Sequence, residues 1–161
     1  MSKLPRRVWI VAVVLTLCIG GGATAWWLLR APAPYSLRDT PEVDVTVRAE
    51  KSTYPDVDEV AREAELVIKA YVQRLESGDP VDIARLGTPW YTGKEQAAKE
   101  LISRYGTHAD APVEAVVFDP VVPNQAAVSL QFAGGRQQRL DLTRDDGVWW
   151  LDLGTGDPMN P

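Results

Sequence analysis

Apolar residues run from Val8 to Leu29 without a single charge, and beyond them the chain changes character. At ~1.5 Å per residue a helix over this run reaches about 33 Å, enough to cross a ~30 Å hydrocarbon core. Further on, apolar positions become periodic. Val60, Ala64, Val67, Tyr71 and Leu75 recur every three or four residues and predict an amphipathic helix. Asp56 and Asp58 lie at its start, where the helix dipole favours negative charge. Ser77-Gly78-Asp79-Pro80 ends it, and Asp79 is placed to cap a short second helix carrying Val81, Ile83, Ala84 and Leu86. Thr92-Gly93-Lys94-Glu95 fits a capping box ahead of a third helix with Ala97, Ala98, Leu101, Ile102 and Tyr105, stopping at Gly106.

The period then shortens to two. Val113–Phe118, Ala126–Phe132, Arg139–Thr143 and Val148–Leu153 read as four strands, punctuated by Pro120 and Pro123, Gly134-Gly135 and Asp145-Asp146-Gly147. Alternation in Val128, Leu130, Phe132 and in Leu140, Leu142 implies one buried face per strand. Short turns between consecutive strands predict an antiparallel meander. Helices first and sheet after is an α+β order, with helices packed on a curved antiparallel sheet of about four strands. Val43, Val45 and Val47 also alternate, which allows a short strand in a stretch otherwise read as tether.

Lys3, Arg6 and Arg7 precede the apolar run and Arg30 follows it, which orients the N-terminus to the cytoplasm and the body outside. Trp26 and Trp27 fall where the far interface belongs. The rival reading is a cleaved signal peptide, since Ala23-Thr24-Ala25 has the small-x-small pattern of a cleavage site. Apolar character that continues through Trp26, Trp27, Leu28 and Leu29 favours a retained anchor. Cys18 follows Leu15-Thr16-Leu17, but a lipoprotein box needs a small residue where Leu17 stands. Arg6-Arg7 reads as an ordinary basic flank rather than a twin-arginine signal. Gly20-Gly21-Gly22 would let another helix approach closely, although it also weakens the helix.

The expected organisation is therefore a cytoplasmic N-terminus over 1–7, a transmembrane helix over 8–29 and an extracytoplasmic tether over 30–55. An α+β domain over 56–153 and a C-terminal tail over 154–161 follow. Ala31-Pro32-Ala33-Pro34 stiffens the start of the tether. The chain has 22 acidic and 17 basic residues; all the acidic ones lie after Arg30 and four of the basic ones at or before it, leaving net −9 outside. That balance argues against nucleic acid and anionic lipid as partners of the domain. With Cys18 as the single cysteine and His108 as the single histidine, neither an internal disulfide nor a Cys- or His-based metal cluster can form. No metal and no cofactor is expected.

The helix ending Ala70–Asp79, "AYVQRLESGD", followed by a short helix and then strands, resembles a nuclear transport factor 2-like domain, a cystatin-like α+β cone. The similarity spans about Asp56–Leu153 and rests on element order and that helix ending. It implies a curved antiparallel sheet wrapped around the long helix. The superfamily includes isomerase-like and dehydratase-like enzymes alongside many non-catalytic modules, so fold alone does not choose a function.

If such a cone holds a pocket, Tyr71, Trp90, Tyr91 and Tyr105 are its ligand-binding candidates, although aromatics at these positions more often belong to the core. Trp149-Trp150 puts one ring on each face of the last strand, and Trp150 is the candidate partner-binding residue or packs beneath the tether. An isomerase-like site needs a carboxylate base facing an apolar pocket, with a hydrogen-bond donor opposite. Asp141 and Asp152 alternate against apolar neighbours and read as outward-facing, Glu114 is less constrained, and His108 falls in a loop. No catalytic residue is assigned. The leading expectation is a single-pass membrane-anchored extracytoplasmic module that binds an envelope protein or a small ligand without catalysis. A pocket enzyme of isomerase or dehydratase type and a structural subunit of an envelope assembly are the alternatives.

Overall fold

A computed structural model describes residues 34–52, 56–119 and 124–155. The expected membrane segment 8–29, with the glycines in it, lies outside the described residues. Among those described, no helix is long and apolar enough to cross a membrane. The elements in chain order are β1 (Val45–Ala49), α1 (Asp56–Ser77), α2 (Pro80–Ala84), α3 (Lys94–Tyr105), β2 (Val113–Val117), β3 (Gln125–Gln131), β4 (Gln137–Asp145) and β5 (Val148–Leu151). The five strands form one curled, mixed sheet in chain order, a half-barrel.

Helix α1 is the axis of the core. Val60, Ala64, Val67, Tyr71 and Leu75 are all buried, as their spacing requires. So are Val57, Ala61, Ile68, Ala70 and Val72, a wider face than one apolar stripe, because the sheet curls around the helix. Truncating Ile68 or Leu75, both fully buried, to alanine would cost roughly 2–5 kcal/mol. Asp56, Asp58 and Glu59 occupy the first turn of α1 and Arg74 the last, both favourable to the helix dipole. Asp79 caps α2 by accepting from the Val81 amide at 2.9 Å, and Pro80 follows in the first turn.

Helix α3 begins differently from the capping-box expectation. Gly93, not Thr92, precedes Lys94 in the capping position, and no side chain caps the helix. Thr92 instead exchanges two backbone hydrogen bonds of 3.0 Å with Thr155, so the chain entering α3 is held by the C-terminal end of the domain. Gly106 ends α3 by permitting close approach: a Cβ there would sit 3.3 Å from the Leu75 carbonyl oxygen.

β2, β3, β4 and β5 form the antiparallel meander, with Ala115 opposite Leu130, Val128 opposite Leu140 and Leu142 opposite Leu151. These side chains are buried and meet the helices. Asp146 and Gly147, both at positive φ, make the tight β4–β5 turn, a two-residue connection matching strand twist. The fifth strand is β1, paired in parallel with β2 from Val45–Val113 to Ala49–Val117. All three helices lie in the β1–β2 connection, as a parallel pair requires a crossover.

Residues before β1 also pack on the domain. The Tyr35 hydroxyl donates to the Trp149 carbonyl, and its ring stands edge-on to Trp150 at 5.8 Å. Gln73 of α1 accepts from the Arg38 amide at 2.8 Å and donates to the carbonyls of Arg38 and Pro41 at 2.8 and 2.6 Å. Arg38 forms an ion pair with the buried Asp82. Much of the stretch read as tether is thus a strap, placed by pairs distant in sequence. Tyr35 of the strap and the Leu86–Thr88 segment after α2 together finish the sheet edge. On β5 the Trp149 carbonyl accepts from Tyr35, the Leu151 amide donates to Leu86 and the Leu151 carbonyl accepts from Thr88, so this edge has no free ladder at those positions.

A cleft between helix α3 and strands β4–β5

Tyr71, the first ligand-binding candidate, closes the interior of the domain. It is fully buried, and its hydroxyl lies 2.7 Å from Gln138 Nε2 and 3.0 Å from Gln138 Oε1. Burial pushes its phenol well above the ordinary value, the Gln138 hydrogen bond opposing and Tyr105 adding to the rise. Tyr105 is half-buried and stacks on Phe132 at 5.5 Å between ring centres. The structure therefore brings Tyr71, Tyr105 and Phe132 together as packed interior. Trp90 and Tyr91 form a separate edge-to-face pair, 6.5 Å between centres, in the α2–α3 connection. Trp150 packs against Tyr35, and Trp149 lies on the opposite, inner face with its indole N–H 3.3 Å from Glu63 Oε2.

Open space lies beside that interior. A cleft of about 230 Å³ runs between α3 and the β4–β5 end of the sheet. Ala97, Leu101, Leu140, Leu151 and Leu153 give it apolar walls. Two ion pairs sit at its exposed rim: Arg104 with Glu100 at 3.9 Å and Arg139 with Asp141 at 3.0 Å. Asp152 lines it as well and is half-buried. Its Oδ1 accepts from the Thr88 hydroxyl at 3.2 Å. Burial raises the Asp152 carboxyl above its ordinary value, with the Thr88 hydrogen bond opposing and the like charge of Asp141 adding.

Asp152 keeps the outward side of β5 that alternation gives it but is half-buried there, and the reason is tertiary. The Leu86–Thr88 segment lies along the β5 edge through the Leu151 hydrogen bonds and covers the acid that strand alternation turns outward. Asp141 keeps its outward position beside Arg139, and Glu114 pairs with Arg48 across the β1–β2 edge. His108 lies in a short 3-10 turn after α3 and is half-buried.

Periodicity also gives no sign of the charged cluster at Asp82. Its carboxylate pairs with Arg38 and, at 3.4 Å, with Arg85. The buried Arg74 donates to the Asp82 backbone carbonyl at 3.4 Å. Burial lowers the Arg74 guanidinium from its ordinary value, with Asp82 opposing. A second, more open groove crosses the β1–β3 face near Thr46, Glu114 and Gln131. Compared with known proteins, the chain matches no family model, no curated protein and no solved structure.

Proposed function

We propose that this chain is a single-pass membrane-anchored module whose extracytoplasmic α+β domain binds a small ligand or an envelope protein without catalysis. One observation carries the binding reading: the Tyr71–Gln138 pair fills the interior that a pocket enzyme of this build would use, and open space lies outside it, at the α3/β4–β5 cleft and the β1–β3 groove. The anchor rests on the uncharged Val8–Leu29 run with its basic flank. The nuclear transport factor 2-like reading is supported by a long first helix wrapped by an antiparallel meander, while the parallel β1 is an addition to that pattern.

A pocket enzyme is the second reading, favoured by Asp152, a half-buried carboxylate lining a cleft with a raised proton affinity. Against it stands the engagement of the candidate donors: Tyr71 and Gln138 hydrogen-bond each other in the closed interior, and the Thr88 hydroxyl beside Asp152 is shared with the Leu151 carbonyl.

Proximity labelling from the C-terminal end of the full-length protein in its native envelope tests the binding reading. A reproducible set of labelled envelope proteins, or a ligand retained by the purified protein, is the expected result. Absence of both would sink it. Intact-mass measurement decides the anchor separately, since a chain lacking its first ~25 residues would be a cleaved product.

A further inference from the structure

We propose that the free edge of β1 pairs with β1 of a second copy of this chain, antiparallel and centred on Thr46. The inference goes beyond the binding reading. The geometry of the edge carries it, and the proposed anchor supplies only the local concentration.

The sheet has two edges, and the chain treats them differently. Tyr35, Leu86 and Thr88 occupy hydrogen-bonding groups of β5. β1 uses one side for β2: the Asp44 carbonyl accepts from the Val113 amide at 2.9 Å, and the Glu50 amide donates to the Val117 carbonyl at 2.8 Å. Between those ends the parallel register, Val45–Val113 to Ala49–Val117, makes Thr46 and Arg48 the residues that bond β2. The backbone groups of Val45, Val47 and Ala49 therefore point away from β2. Among the described residues, no hydrogen bond reaches them. Thr46 and Arg48 are exposed, and Thr46 borders the open groove on the β1–β3 face, so the described chain leaves the outer face of the strand open.

Such an edge is a template for another strand, and charge selects which strand. Asp44 and Arg48 are both exposed on the outer side, with Thr46 midway between them. Antiparallel pairing about a two-fold axis at Thr46 sets Asp44 of each copy opposite Arg48 of the other, twice over by symmetry. Arg48 already pairs with Glu114 at 2.5 Å, so Asp44 of the second copy gives this exposed guanidinium a carboxylate on either side. The same register makes Val45 and Val47 of opposite copies hydrogen-bonded pairs, which fits because theirs are the outward-pointing groups. Neighbouring registers fit less well. Centring on Val47 opposes Asp44 to Glu50, and centring on Arg48 opposes the two arginines. In the Thr46 register Glu42 opposite Glu50 falls beyond the five-residue strand, where water and salt screen it. One short edge is small beside the ~1,200–2,000 Å² of stable interfaces, so the copies must be held together, as a shared membrane would hold them.

Oxidative cross-linking of the full-length protein in its native envelope, in a Cys18→Ser background, tests the pairing. The Cα atoms of a non-hydrogen-bonded antiparallel pair are ~4.5 Å apart, within disulfide reach, so Thr46→Cys should oxidise to a covalent dimer. Arg48→Cys, also exposed, should not, because in this register its Cα lies about 14 Å from its counterpart. Val47→Pro removes an outward amide and no bond to β2, and should abolish the Thr46→Cys dimer. Should Val47→Pro fold poorly, charge decides: Asp44→Lys should lower the dimer about threefold or more, whereas Asp44→Glu should preserve it. No Thr46→Cys dimer, an equal dimer from Arg48→Cys, an undiminished dimer in folded Val47→Pro, or equal dimers from Asp44→Lys and Asp44→Glu would overturn the proposal. A Thr46→Cys adduct with a different envelope protein would also overturn it, and the binding reading would stand. A chain lacking its first ~25 residues that still cross-links at Thr46 would refute the anchor alone.

Discussion

The Tyr71 hydroxyl on α1 and the Gln138 side-chain amide on β4 meet across the closed interior, 2.7 Å apart at Gln138 Nε2. Tyr71 is fully buried and Gln138 only 5% exposed, so neither group can turn to water when the other is removed. Tyr71→Phe and Gln138→Leu should each lower stability by about 1–3 kcal/mol, the cost of a buried polar group left without its partner. The double variant should lose less than the sum of the two. Urea unfolding of the four proteins measures the coupling, and strictly additive losses would show that the pair does not act as a unit.

Gln73 fastens the strap through both of its side-chain polar atoms, to Arg38 and Pro41. Gln73→Ala should cost about 1–3 kcal/mol and release residues 35–41 to faster amide hydrogen exchange. Because Tyr35 donates to the Trp149 carbonyl, the same variant should loosen Trp150 and raise its accessibility to solvent quenchers. Unchanged exchange in the strap would mean that Tyr35 and the Arg38–Asp82 pair hold it unaided.

Asp152 gives a signed dependence on pH. Its folded-state carboxyl lies above the ordinary 3.8, so the charged form opposes folding. The penalty is complete above the folded pKa and fades as pH falls through that pKa towards the ordinary value. Asp152→Asn removes it. The variant should be the more stable protein at pH 7, by less than about 1 kcal/mol because water screens a half-exposed carboxylate. Thermal unfolding of both proteins from pH 7 to about 4 should show the difference shrinking, and a gap that widens on acidification would contradict the assignment.

Gly154 sits at φ +96°, and a Cβ on it would come 2.1 Å from the Thr92 carbonyl oxygen. Gly154→Ala should therefore break the Thr92–Thr155 bridge and cost more than about 1 kcal/mol, beyond the ordinary penalty for alanine at positive φ. Since that bridge holds the entry to α3, the variant should also speed amide hydrogen exchange in the first turn of that helix. Calorimetric melting and hydrogen exchange on the same sample measure both effects.

The parts of this fold legible in the chain are those governed by neighbours within one or two turns. Val60 to Leu75 announce α1 because residues three and four apart share a helix face. Val128, Leu130 and Phe132 announce a strand buried on one side, and Asp79-Pro80 announces the start of α2. Thr92 misleads because the capping-box pattern takes no account of Thr155, its actual partner 63 residues away. The aromatic candidates show a similar limit. Tyr71 and Tyr105 do come together, but as packed interior, and no local pattern tells a pocket wall from a core.

By itself the sequence determined the uncharged Val8–Leu29 run, the acidic balance that follows it, and the order of helices then strands. Each of these depends on composition or short-range period alone. Only the tertiary structure decided that β1 joins the sheet in parallel, that Tyr35 reaches Trp149 across 114 residues, and that Leu86–Thr88 covers Asp152. The physical reason is common to all three. Alternation sets which way a side chain points, whereas burial depends on what the rest of the chain places in front of it.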